Sequence, residues 1–347
     1  MLTKVFGFIL GAVLLSSGAA FAAGERGEFI YRGVVYAMKA DFSSASAEFR
    51  QAYQLNRFDP EADFYLQIIE DIRQGLVPSS TAVNIFKGVD YFRKKYHNPA
   101  LEELDFAIEA SPGYIKAYLI RCNIFLDKAD YRSAGADGEK MVGMDSSYAP
   151  GYNARGRVHL ETGMYEKALR DFGSAIELDE DYSEAYDNRG NAYFRLGTFD
   201  SALADFNESL RIDPFYVQAY NDRGNVFLRL KQYAKAIADY SRAIELDPAC
   251  VKAYNNRGVV FRRQEKYMDA LNDFNMALKI DPGFFAAYFN KALVFDKLFK
   301  GREAAAAYSD FLARAGKDVQ QEQNIAYAKR RLAFWRGQET GKDIVSE

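Results

Sequence analysis

The chain has 347 residues, 49% of them hydrophobic and 27% charged, with 24 Tyr and 27 Phe, which is ample apolar surface for a core and excludes a disordered chain. A formal net charge of -3 gives no general basic face, so a nucleic-acid binder is not expected, although a local basic groove stays open. The two cysteines, Cys122 and Cys250, lie far apart in the chain and are read as free thiols.

Residues 1–22 read as an export signal. Lys4 precedes an apolar run from Val5 to Leu15, and small residues end at Ala20-Phe21-Ala22, the small-x-small pattern of a cleavage site. The run is short of the roughly 20 residues that span a bilayer. The expectation is therefore cleavage and export to a periplasm, with an uncleaved anchor in the inner membrane as the alternative.

Residues 23–73 are expected to hold a degenerate helix pair and one extra helix. The pair, from Arg26 to Asp59, carries Gly33, Ala45, Phe49 and Ala52; the extra helix sets Phe64, Tyr65, Ile68, Ile69 and Ile72 on one face. A linker over 74–80, containing Gly75-Leu-Val-Pro-Ser-Ser, follows it. This interruption predicts a first module offset from the rest.

From 81 to 318 the sequence repeats on itself with a period of 34. Tyr118, Tyr152, Tyr186, Tyr220, Tyr254 and Tyr288 form one column, and Gly156, Gly190, Gly224 and Gly258 a second, extended by the small residues Cys122 and Ala292. Two further small columns, Ala168, Ala202, Ala236, Ala270 and Ala175, Ser209, Ala243, Ala277, bracket an aromatic column of Phe172, Phe206, Tyr240 and Phe274. Within the unit from Ser183 to Tyr216 these residues fall on the faces of two successive helices. Gly197 can end the first, and Asp213-Pro214 closes the second, as Asp247-Pro248 and Asp281-Pro282 do in their units. Seven contiguous helix pairs are predicted, each too small to bury its own core, so that neighbours must stack. The pair from Ile115 to Tyr148 has Gly135, Gly138 and Gly143 in its second helix and is expected to be the softest joint. A capping helix over 319–336, with Ile325, Ala328, Leu332 and Trp335 apolar, and a solvated tail over 337–347 complete the chain.

The order aromatic, glycine, alanine, aromatic, alanine, proline resembles the tetratricopeptide repeat family nearly column for column over most of the mature chain. That resemblance implies an all-α fold, a right-handed superhelical solenoid of antiparallel helix pairs, with first helices lining a concave groove. It implies little about the partner, because such arrays serve many.

A base and an acid recur 16 residues apart: Arg155 with Asp171, Arg189 with Asp205, Arg223 with Asp239, Arg257 with Asp273, and in variant form Arg32 with Glu48, Lys87 with Glu103 and Arg121 with Asp137. With the base on the first helix and the acid on the second, the spacing predicts a charge staple, within a hairpin or to its neighbour. The groove columns implied by the resemblance are Asn153, Asp187, Asn221 and Asn255; Arg157, Asn191 and Asn225; and Arg195, Arg229, Arg263 and Lys297. Their amides suit the backbone of an extended peptide, and the spaced cations suit acidic side chains or a carboxylate. Family members that clamp a C-terminal carboxylate need a lysine where this chain has Asn153, Asp187, Asn221 or Asn255, so that clamp is not expected.

Chemistry beyond binding finds no support. His97 and His159 have no cysteine or histidine partner at metal-ligand spacing, and no phosphate loop or nucleophile motif occurs. No cofactor, metal or small-molecule substrate is expected, and no enzyme. The expectation is a scaffold of the cell envelope that binds a protein or peptide partner in its groove; the alternative is a structural assembly subunit without a transient client.

Overall fold

The computed structural model describes residues 24–55, 60–315 and 322–339, so the predicted export signal lies outside the described residues. Among these residues there are 18 α-helices and no strand. They fall into two compact units, the first running to Val226 and the second beginning at Phe227.

In the first unit α1 (Gly24–Met38) and α2 (Phe42–Leu55) form a hairpin. Helix α3 (Pro60–Arg73) packs beside α2, and α4 (Ser79–Arg93) packs along α1. Then α4 pairs with α5 (His97–Ala110) and α6 (Ile115–Asp127) with α7 (Tyr131–Met144). Likewise α8 (Ala149–Glu161) pairs with α9 (Tyr165–Leu178), and α10 (Ser183–Leu196) with α11 (Phe199–Ile212), each hairpin packed on the next. Helix α12 (Val217–Arg229) begins in the first unit and ends in the second. In the second unit α13 (Tyr233–Leu246) packs on α14 (Val251–Arg263), which pairs with α15 (Tyr267–Ile280). Finally α16 (Phe285–Lys297) pairs with α17 (Gly301–Arg314), on which α18 (Glu322–Glu339) lies.

Close approach explains the columns. A Cβ on Gly156, Gly190 or Gly258 would stand 2.6, 2.9 or 2.7 Å from the ring of Phe172, Phe206 or Phe274, each ring fully buried against the first helix of its own hairpin. Alanines of the facing columns are likewise buried completely, which lets the helices pack backbone to backbone. In the softest predicted joint the pattern is inverted. Gly138 takes the aromatic position and sits against the Arg155 backbone, while Cys122 takes the glycine position and its thiol donates to the Ala134 carbonyl at 3.3 Å.

Two expectations are corrected. The first module does not stand off from the array: α1 packs directly along α4, and the Phe49 and Phe86 rings stack at 6.0 Å. Tyr65 of α3 wedges beside both, at 5.0 and 5.6 Å, so the extra helix adds to the same core instead of displacing it. At the other end α18 continues to Glu339, which takes Gly337, Gln338 and Glu339 from the predicted tail into helix; the tail beyond them and the predicted start of the cap at 319–321 lie outside the described residues.

Candidate partner-binding face

The arginines of four first helices are built into a fixed nest. Arg155 Nε and Nη2 donate to the two Asp171 oxygens at 3.1 and 2.7 Å, and Arg189 binds Asp205 in the same fork at 2.8 and 2.8 Å. Arg257 repeats it on Asp273 at 2.9 and 2.8 Å, and Arg121 on Asp137 at 3.0 and 2.6 Å. Arg32 reaches Glu48 at 2.9 Å, and Lys87 approaches Glu103 at 3.8 Å. In these pairs the staple therefore lies within the hairpin, from first helix to second.

A further contact runs to the preceding hairpin, 16 residues back. Arg121 Nη1 meets Asp105 at 2.6 Å, Arg155 Nη1 meets Glu139 at 3.0 Å, Arg223 meets Asn207 at 2.8 Å and Arg257 meets Ser241 at 2.9 Å. Arg189 has Gly173 at that position, where no side chain can answer it. Each guanidinium also lies over the ring three residues before it: Tyr118, Tyr152, Tyr186, Tyr220 and Tyr254, at 5.4 to 5.7 Å from the centroid. Planar stacking with a fork of donors is what arginine supplies and lysine cannot. Arg223 and Asp239, the remaining pair of the column, fall one in each compact unit.

The amide column is also structural, which corrects the expectation that it lies open along a groove. Asn153, Asp187, Asn221 and Asn255 are all buried. Asn188 donates to Asn153 at 2.9 Å, and Asn290 donates to Asn255 at 2.9 Å, each bond joining one first helix to the next. Asn153 in turn donates to the Tyr182 hydroxyl at 3.1 Å. Among the residues expected beside them, Arg157 is half-buried and donates to Asn123 at 2.5 Å, and Asn191 binds Asp187 and Asp222. Asn225, also half-buried, reaches Asp222 at 3.3 Å. Sequence spacing places these residues on the correct helix but does not reveal that the neighbouring helix covers them.

The cations one turn further are different. Arg195 in the first unit, and Arg229, Arg263 and Lys297 in the second, are all exposed near the C-terminal ends of their first helices. Arg262, beside Arg263, has a buried Nε without a hydrogen-bond partner among the described residues; burial and the Arg263 charge lower its proton affinity. Among the described residues no group of three or more His, Cys, Asp or Glu is placed to hold a metal ion, and no helix is long and apolar enough to cross a membrane. His159 Nδ1 bonds the Asp171 carboxylate at 2.9 Å within its hairpin, and His97 bonds Asp127 at 2.6 Å, joining α5 to α6.

Helical hairpins of one length, four of them closed by an arginine fork, and stacked through glycine and alanine, define an α-helical repeat protein. The family model described as tetratricopeptide repeat matches residues 217–250 and 251–284, and one described as TPR repeat matches 156–197 and 190–231. Residues 156–284 are thus tetratricopeptide repeats. Among solved structures it is similar to yeast Tom70, at 22% identity and a TM-score of 0.56, over 91% of this chain and 66% of that one. It is also similar to a tetratricopeptide repeat protein from Parabacteroides merdae, at 18% identity and a TM-score of 0.54, over 74% of this chain and 99% of that one. No curated protein matches the sequence.

Proposed function

We propose that the chain is a non-catalytic interaction scaffold, exported by its N-terminal segment to the cell envelope, that holds an acidic stretch of a partner polypeptide. One observation carries this reading. Arg229, Arg263 and Lys297 are exposed on successive first helices, whereas the fork arginine Arg257 and the column amide Asn255 of α14 are consumed within the fold. Cations at a regular interval on rigid helices offer a preformed counterpart to spaced carboxylates, so little side-chain or backbone freedom is lost on docking.

A photo-crosslinking residue in place of the exposed Lys252 on α14 tests it in cells. Capture of the partner is expected to fall at least about tenfold in the R229A/R263A/K297A variant, equal to about 1.4 kcal/mol, with no change in melting temperature. Full capture by that variant would remove the cations from the contact. Defined oligomers of the purified protein by light scattering, with no captured partner, would favour the assembly-subunit reading.

A further inference from the structure

Three carboxyl groups meet where α8, α10 and α12 adjoin in the first unit, with no ion pair among the described residues to balance them. Glu184 and Asp187 lie one turn apart on the same face of α10, and Asp222 stands on α12; the three are 5%, 2% and 8% exposed. They are served unequally. Asp222 accepts amide hydrogens from Asn191 at 2.9 Å, Gln218 at 2.8 Å, Asn221 at 3.0 Å and Asn225 at 3.3 Å. Asp187 shares the Asn191 amide at 3.3 Å and takes the Tyr216 hydroxyl, yet its Oδ1 has no partner among the described residues. Glu184 has the Asn153 and Asn188 amides as neighbours, and its Oε2 likewise has no partner there.

A buried carboxylate oxygen without a donor carries the full desolvation penalty, which a proton removes. The titratable groups that act on the pair are Arg157 from α8, Tyr182 before α10, Tyr216 before α12, and Asp222. Arg157 is the only cation among them, and it is turned to Asn123. Burial pushes Glu184 up to about 7, against the pull of Arg157, and burial together with Asp222 and Glu184 holds Asp187 well above the usual carboxylate range.

We propose that Glu184 and Asp187 form a proton-dependent latch: protonated, they let α10 seat between α8 and α12, and losing the proton loosens that seat. The sign follows from linkage. The unfolded chain ionises Glu184 from its ordinary value of 4.5, while the fold keeps it protonated up to about 7. The Glu184 share of the latch is thus full below the lower value, weakens as pH rises through that span and changes no further above it, and ionisation of Asp187 acts in the same direction.

Two measurements on the full chain test the latch. Hydrogen exchange of α10 amides, corrected for the intrinsic effect of pH, should show an opening constant that rises on the order of 100-fold across that span. The slope should shrink in Glu184→Gln and in Asp187→Asn and vanish in the double variant, but persist in His97→Asn and His159→Asn. Infrared difference spectra near the lower end of neutral pH should show a protonated-carboxyl band in the wild-type protein, so the test stands even if a variant fails to fold. A flat exchange profile, a slope retained in full by the Glu184→Gln/Asp187→Asn double variant, or the absence of that band would each overturn the proposal.

Discussion

At the residue scale, the arginine fork is the clearest example of a side chain chosen by geometry. Arg189 and Asp205 are the best pair on which to measure it, because Gly173 leaves that arginine without the second partner that Arg121 and Arg155 find in Asp105 and Glu139. The Asp205 carboxylate is 8% exposed and the Arg189 side chain 24%, so solvent screens the pair only in part. A double-mutant cycle with Arg189→Ala and Asp205→Ala, read by urea unfolding, should return a coupling of about 1–2 kcal/mol. Arg189→Lys should recover less than half of it, since an ammonium cannot fork or stack. A coupling near zero would mean that the charges merely face water. The spacing of 16 shows in the sequence that these residues pair, and it leaves open which neighbour each meets; the structure answers with both, the fork inside the hairpin and Nη1 to the one before. The buried amides were not legible in the same way. Helical periodicity fixes the face on which Asn153 or Asn255 lies, but whether that face is open or covered depends on the angle between successive first helices, which no single repeat encodes.

At the scale of the element, every hairpin turns through one residue in the left-handed region. The positions are Ala40, Lys95, Ala129, Gly163, Gly197, Lys231, Glu265 and Phe299, with φ between 54° and 80°. From Lys95 onward they recur at the repeat period, and only two are glycine. The sequence shows this turn only where glycine occupies it, as at Gly197. Elsewhere the stacking of the two helices imposes the conformation on residues that local propensity would not place there. For an L-residue the left-handed region costs about 1–2 kcal/mol, against a smaller entropic cost for glycine. Phe299 is 85% exposed among the described residues, so little burial of its ring offsets that cost. Phe299→Gly should therefore raise stability by about 0.5–1 kcal/mol, seen as a higher melting temperature with an unchanged helical spectrum. A loss of stability would show that the ring has a partner outside these residues.

At the scale of the whole molecule, a stack of hairpins has ends, and the end of the second unit is closed by α18. A Cβ on Gly301 would stand 2.5 Å from the Trp335 ring, so the indole lies flat on the start of α17. Its N–H donates to Asp296, which Arg331 also forks at 2.9 and 3.0 Å and the Tyr308 hydroxyl joins at 2.5 Å. These donors hold Asp296 below the usual carboxylate range despite its burial. Ala328 and Trp335 complete an apolar cluster with Ala304, Tyr308 and Phe311 that α17 alone would leave open to water. Open repeat ends bury their apolar face on another chain if no cap intervenes. A chain ending before Glu322 should therefore remain helical but associate in a concentration-dependent way, measured by light scattering, while Trp335→Ala alone should cost about 3–5 kcal/mol in local stability of α17 and α18 by hydrogen exchange. If the truncated chain stays monomeric and loses no protection in α17, the last hairpin closes the stack by itself and α18 is free to serve the partner instead.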